Sequence, residues 1–177
     1  MAPDLSHNHF ELFGLPTRFD VPLDEVDVSY RNIQNQVHPD RFAHTSEAER
    51  RVSMQWATRV NEAYQTLRSP LKRATYLLEL RGMDVGAESN TAMPADFLMA
   101  QMEWREAVEE AASDRSVDAL DALLRKLRGE MNEHYSELAR LIDVANDYDA
   151  AVQTVRKLMF LERLQSEIGD AIADIEG

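Results

Sequence analysis

An all-α fold in two parts is what this sequence predicts, and three observations predict it. Apolar residues return every three or four positions through most of the 177 residues, and no stretch alternates with a period of two. Only 6 Gly and 6 Pro punctuate a chain that is 44% hydrophobic and 29% charged, which suits amphipathic helices around a core rather than disorder or a loop-rich fold. The net charge of −13 is lopsided: residues 1–82 carry 10 basic and 11 acidic side chains, residues 83–177 carry 9 and 21. That step coincides with a run of turn formers, Gly82-Met83-Asp84-Val85-Gly86-Ala87-Glu88-Ser89-Asn90-Thr91-Ala92-Met93. A first unit over 1–81, a linker over 82–93 and a second unit over 94–177 are therefore expected.

In the first unit His9–Phe13 has room for one helical turn before Gly14 and Pro16. From Leu23 the residues Val26, Tyr30, Ile33 and Val37 mark one face of a helix whose start is acidic, as the helix dipole favours. It must stop at His38, because Pro39 has no amide donor and pushes the residue before it out of the helical region. A long helix then begins at Thr45 or Ser46, where Ser46 and Glu49 form the S-x-x-E capping pattern. Its apolar side is expected to hold Val52, Trp56, Val60, Ala63, Tyr64 and Leu67, and a further helix spans Leu71–Leu80. The second unit reads as three helices, from Pro94 at its first position to Ala112, from Ser116 to Val144, and from Asp147 to Ile175. Short connections make neighbours antiparallel, so these should form a small bundle.

Composition excludes several functions. With no Cys the chain can offer neither disulfides nor thiol catalysis nor a thiolate-held metal or cluster. Apolar runs such as TYLLEL and KLMFLERL are broken by charge well short of the ~20 residues that span a bilayer. The N-terminal MAPDLSHNHFELFG lacks a basic segment followed by an apolar one, so no export signal is read there and a cytoplasmic address is expected. The acidic second half would repel a phosphate backbone, so neither nucleic acid nor a membrane is expected as a partner. Of the five His, none stands four residues from another on a helix, and the Glu-x-x-His pairing of di-iron bundles is missing. No metal and no cofactor are expected. With no glycine-rich phosphate cradle, the chain is not expected to be an enzyme.

The tripeptide His38-Pro39-Asp40 sits between two amphipathic helices, and Asn61-Glu62-Ala63-Tyr64-Gln65-Thr66-Leu67-Arg68-Ser69-Pro70-Leu71-Lys72-Arg73 follows on the second of them. By itself the tripeptide can be a mere helix stop. It offers an imidazole, a rigid backbone and a carboxylate, which suit polar recognition, but no nucleophile for catalysis. In this order the segments resemble the J-domain of the DnaJ class over about residues 8–76. The start His9-Phe10-Glu11-Leu12-Phe13-Gly14-Leu15-Pro16, the loop Val37-His38-Pro39-Asp40-Arg41-Phe42, Phe97-Leu98-Met99 and the late Val155-Arg156-Lys157-Leu158-Met159-Phe160-Leu161 make the whole chain similar to the HscB family.

The resemblance implies a J-domain, a helical hairpin with an HPD loop, followed by a C-terminal three-helix bundle. It implies a co-chaperone of iron–sulfur cluster assembly that stimulates ATP hydrolysis by an HscA-type, DnaK-like chaperone and holds the scaffold IscU. Chaperone binding would then fall to His38, Pro39, Asp40, Arg31 and Arg41. The family's second helix is usually basic, whereas here Arg31 is the lone cation between Val26 and Val37, with Lys72 and Arg73 as further candidates. A general J-protein that delivers unfolded clients is the alternative.

At ~100° per residue, Phe97, Trp104, Val108 and Ala111 share one face of their helix, while Leu98, Met99 and Met102 share the other with Glu103, Glu106, Glu109 and Glu110. Apolar side chains among like charges read either as a partner-binding surface or as a wide core face with solubilising acids. Phe160 falls off the centre of the stripe Val155, Leu158, Leu161, Gln165, Ile168, Ile172 and Ile175, and is expected as a flank or surface aromatic. The resemblance assigns Leu98, Met99, Met102, Glu103, Glu106, Glu110 and Phe160 to scaffold binding.

Overall fold

A computed structural model describes residues 6–86 and 93–177. The chain divides into two compact units, Met1–Leu80 and Arg81–Gly177. Every described element is helical: α1 (His9–Leu12), α2 (Leu23–Val37), α3 (Glu47–Arg68) and α4 (Pro70–Leu80) in the first unit, α5 (Ala95–Ser113), α6 (Val117–Ala139) and α7 (Tyr148–Glu176) in the second.

The short α1 is closed at both ends. Asn8 and Glu11 form a reciprocal capping box at its start. At its end Gly14 adopts φ +67, so that the Leu15 amide reaches the Phe10 carbonyl at 2.9 Å and the Gly14 amide reaches Glu11 at 3.0 Å. This pair of bonds needs a left-handed residue, which glycine adopts without the cost of a Cβ. The turn buries Phe10, Leu12, Phe13 and Leu15, and α1 packs on α3.

The α2–α3 hairpin is held along its length. Tyr30 and Tyr64 stack at 4.1 Å, the Tyr30 hydroxyl donates to Asn61 Oδ1 at 2.7 Å, and the Tyr64 hydroxyl donates to Asp27 at 2.8 Å. That bond, more than anything else, raises the Tyr64 pKa, because the phenol must stay protonated to donate to a carboxylate. Ser46 caps α3, its hydroxyl accepting the Glu49 amide at 3.2 Å. The buried stripe of α3 is Ser53, Trp56, Val60, Ala63 and Leu67, and Val52 is half exposed. Continuing the three-and-four spacing back from Trp56 lands on Ser53, so a polar residue takes the inward position and the neighbouring valine turns out. Arg73 is buried too: Nε donates to the Phe19 carbonyl at 2.7 Å, Nη1 to Leu67 at 2.6 Å, and its guanidinium lies 4.8 Å from the Phe19 ring. It ties α4 to the loop before α2 and is not a surface cation for docking.

In the second unit Pro94 is the N-cap of α5, with ψ 142, and helical residues start at Ala95, one position later than expected. At the far end Arg115 takes φ 50, and the Ser116 amide reaches the Ala111 carbonyl at 3.0 Å. α6 passes through a wide π turn, Arg140–Val144, and Asn146 at φ 52 starts the return into α7. α7 packs on both α5 and α6. Two partners widen its buried arc to include Phe160 and Leu164 beside Val155, Leu158, Leu161 and Ile168. Phe160, expected as a flank or surface aromatic, is 3% exposed and belongs to the core. The start of the expected linker also belongs to this unit: Val85 is buried, and Arg156 donates to its carbonyl at 3.1 Å. Residues 87–92 of that linker lie outside the described residues.

Candidate functional site

The first unit presents the His38-Pro39-Asp40 turn. Proline sets His38 at φ −59 and ψ 132, extended rather than helical, and residues Pro39–Phe42 follow as one 3₁₀ turn. The break strands carbonyls at the end of α2, and side chains satisfy two of them. Arg41 Nη1 donates to the Asn35 carbonyl at 2.9 Å, and the buried Ser53 hydroxyl donates to the Val37 carbonyl at 2.8 Å. Thr45 closes the turn by donating to the Phe42 carbonyl at 2.7 Å. The loop is thus anchored to α2 on one side and α3 on the other.

Within the turn, His38 Nδ1 accepts the Asp40 amide at 3.2 Å and lies 3.5 Å from the Asp40 carboxylate. An accepting Nδ1 places the ring proton of the neutral imidazole on Nε2, where it can be donated outward. Both side chains are exposed. The turn therefore offers an imidazole N–H donor and an exposed carboxylate in one tight loop, which is a recognition element with nothing to attack a bond. Arg31 is exposed on α2, and Lys72 is exposed on α4. Arg41 is exposed but already bonded to α2, so part of its capacity serves the loop itself.

The second unit presents the outward face of α5. Trp104, Val108 and Ala111 are buried, while Leu98, Met99 and Met102 are 47%, 63% and 71% exposed. Glu103, Glu106 and Glu110 are exposed around them. Arg105, the neighbour of Glu106 in sequence, pairs with Glu167 on α7 at 3.3 Å. Beneath the face, Phe160 meets Phe97 edge to face at 5.9 Å, the Arg105 guanidinium lies 5.4 Å from the Phe160 ring, and Lys157 Nζ lies 5.7 Å from the Phe97 ring. Phe160 thus underlies the α5 surface instead of extending it. His134 on α6 is half-buried, and burial, then the Lys157 charge, lower its pKa. No group of three or more His, Asp or Glu that can hold a metal occurs among the described residues. Nor is any described helix long and apolar enough to cross a membrane.

Two contributors escaped the sequence reading. Ser53 left a trace, a polar residue one position from the expected Val52 on α3. Arg105 left none, because its role depends on which residues of α7 it meets, as does the choice of Phe160 as partner for the inward-facing Phe97.

Comparisons with known proteins agree with this organisation. The DnaJ domain profile matches residues 8–76, and that of the HscB C-terminal oligomerisation domain matches residues 93–169. The co-chaperone protein HscB homolog of Burkholderia mallei is 58% identical over 97% of this chain and 98% of its own length. Among solved structures, the chaperone HscB of Vibrio cholerae superposes with a TM-score of 0.83 at 34% identity, covering 96% of this chain and 99% of that one. Human co-chaperone protein HscB gives a TM-score of 0.89 at 28% identity, covering 96% and 84%. With both halves matched and near-complete overlap with a relative at 58% identity, the chain belongs to the HscB family of J-domain co-chaperones, proteins that assist a chaperone and are not themselves enzymes.

Proposed function

We propose that this co-chaperone acts in the cytoplasm in iron–sulfur cluster assembly, binding an IscU-type scaffold and stimulating ATP hydrolysis by an HscA-type, DnaK-like chaperone. The observation that carries the reading is the α5 face, where three exposed apolar side chains stand among carboxylates on a helix whose other side is properly buried. Such a surface fits a folded partner with an apolar patch and a basic rim. The apolar contacts supply most of the affinity, and the charges supply encounter rate and orientation. The His38-Pro39-Asp40 turn in the same chain supplies the contact to the ATPase. One molecule that holds both partners raises the effective concentration of each near the other.

The test is the steady-state ATPase rate of an HscA-type chaperone with this protein, with and without IscU. The expected result is stimulation that rises further when IscU is present and disappears with His38→Gln. Stimulation by any denatured client as well as by IscU would instead favour general client delivery.

A further inference from the structure

We infer that Met99 and Met102 form an oxidation-sensitive site that releases the partner held on α5 when a neutral hydroperoxide is present. The inference rests on the reading of α5 as the scaffold-binding face. Both methionines are more than half exposed, three residues apart on one side of the helix, with the apolar Leu98 adjoining Met99 in sequence. Met131 on α6 is 7% exposed. The chain has 8 Met and no Cys, so no thiol of its own competes for the oxidant. Exposed Glu103 and Glu106 surround the pair with negative charge, which disfavours anionic oxidants and leaves hydrogen peroxide or a neutral alkyl hydroperoxide.

The chemistry is a two-electron oxygen transfer. A sulfur lone pair attacks the terminal peroxide oxygen, the S–O bond forms as the O–O bond breaks, and the transferred oxygen gives its proton to the departing oxygen. Water leaves, or an alcohol when the oxidant is an alkyl hydroperoxide. The sulfur is oxidised to the sulfoxide and the peroxide is reduced. A flexible apolar side chain thereby becomes polar, and methionine sulfoxide reductases can reverse the change. Two such conversions put S=O dipoles where the partner would have to desolvate them, at the centre of a surface whose affinity comes from apolar contact.

The experiment treats the full chain with limiting hydrogen peroxide and follows each methionine by peptide mass spectrometry, then measures IscU binding. Met99 and Met102 should oxidise at rates close to that of exposed Met54 and far faster than Met131. IscU affinity should fall about tenfold or more, the effect of losing one strong interface contact. The Met99→Leu/Met102→Leu variant, whatever its starting affinity, should show the same affinity before and after peroxide. Oxidation of Met99 and Met102 no faster than Met131 overturns the proposal. So does a peroxide-induced loss that persists in the double variant. If peroxide leaves binding intact while Leu98→Ala weakens it, the oxidation site fails and the α5 reading stands. If neither treatment weakens binding, the α5 reading itself fails, and this proposal with it.

Discussion

The edge of one ring meets the face of the other where Phe97 and Phe160 pack, 5.9 Å apart and 87° between planes. The pair joins α5 to α7 at the turn of α5 that also carries the exposed Leu98 and Met99. A residue named for partner binding by resemblance can thus act by fixing the helix that carries the contact residues.

This separates two kinds of variant. Phe160→Ala removes a buried ring and should cost about 3–5 kcal/mol of stability, whereas Leu98→Ala, at an exposed position, should change stability by no more than about 0.5 kcal/mol. Thermal denaturation of both variants checks this, and Leu98→Ala should still weaken IscU binding. A fully stable Phe160→Ala protein would contradict the burial.

His38→Gln should abolish ATPase stimulation while leaving helical circular dichroism and the melting temperature unchanged, because the imidazole is exposed and bonds only within its own turn. A drop in helicity would mean that the histidine holds the fold instead.

Ser53→Ala leaves the Val37 carbonyl without its buried donor and should destabilise the first unit by about 1–2 kcal/mol. Since that bond anchors the turn, maximal stimulation should fall as well, and Ser53→Thr, which keeps the hydroxyl, should restore both. Chemical denaturation alongside the ATPase assay reads the two effects.

Reversing charge at Glu103 and Glu106 to Lys should slow association with IscU, and the difference from wild type should shrink as salt is raised, since exposed charges act within a Debye length. Association kinetics at low and high salt decide this. Equal rates under both conditions would remove the carboxylates from the account.

Acid should weaken both units. His9 stacks on Tyr76 at 4.2 Å, and burial, then Arg59, lower its pKa from 6.5; His134 is lowered by burial and then by Lys157. Glu62 opposes the shift at His9, and Glu130, Glu133 and Glu137 oppose it at His134. Because the folded pKa values lie below the unfolded ones, the stability tied to the neutral rings is complete above pH 6.5 and is lost as pH falls through the folded values. Melting temperatures of wild type and His134→Gln across this range should converge or cross as the pH drops, with the variant less sensitive to acid.

Local chemistry made much of this protein legible in its sequence. Proline at 39 ends α2 wherever the helix is placed, Gly14 supplies the left-handed turn after α1, and the three-and-four spacing names the inward side of α5 and hence the outward exposure of Leu98, Met99 and Met102. These follow from the geometry of one helix or one turn. Tertiary structure decided the positions where a second element sets the outcome. A wheel drawn for α7 alone assumes one buried stripe, but α7 packs on two helices, so Phe160 goes inside. Arg73 reads as a free surface cation until the Phe19 and Leu67 carbonyls close on it. The α3 stripe reads as starting at Val52, but Ser53 takes the inward position because the Val37 carbonyl stranded by Pro39 uses its hydroxyl. The periodicity of a single chain segment states which side chains can be buried together; only the packed neighbours determine how wide that buried arc becomes and which polar groups find partners inside it.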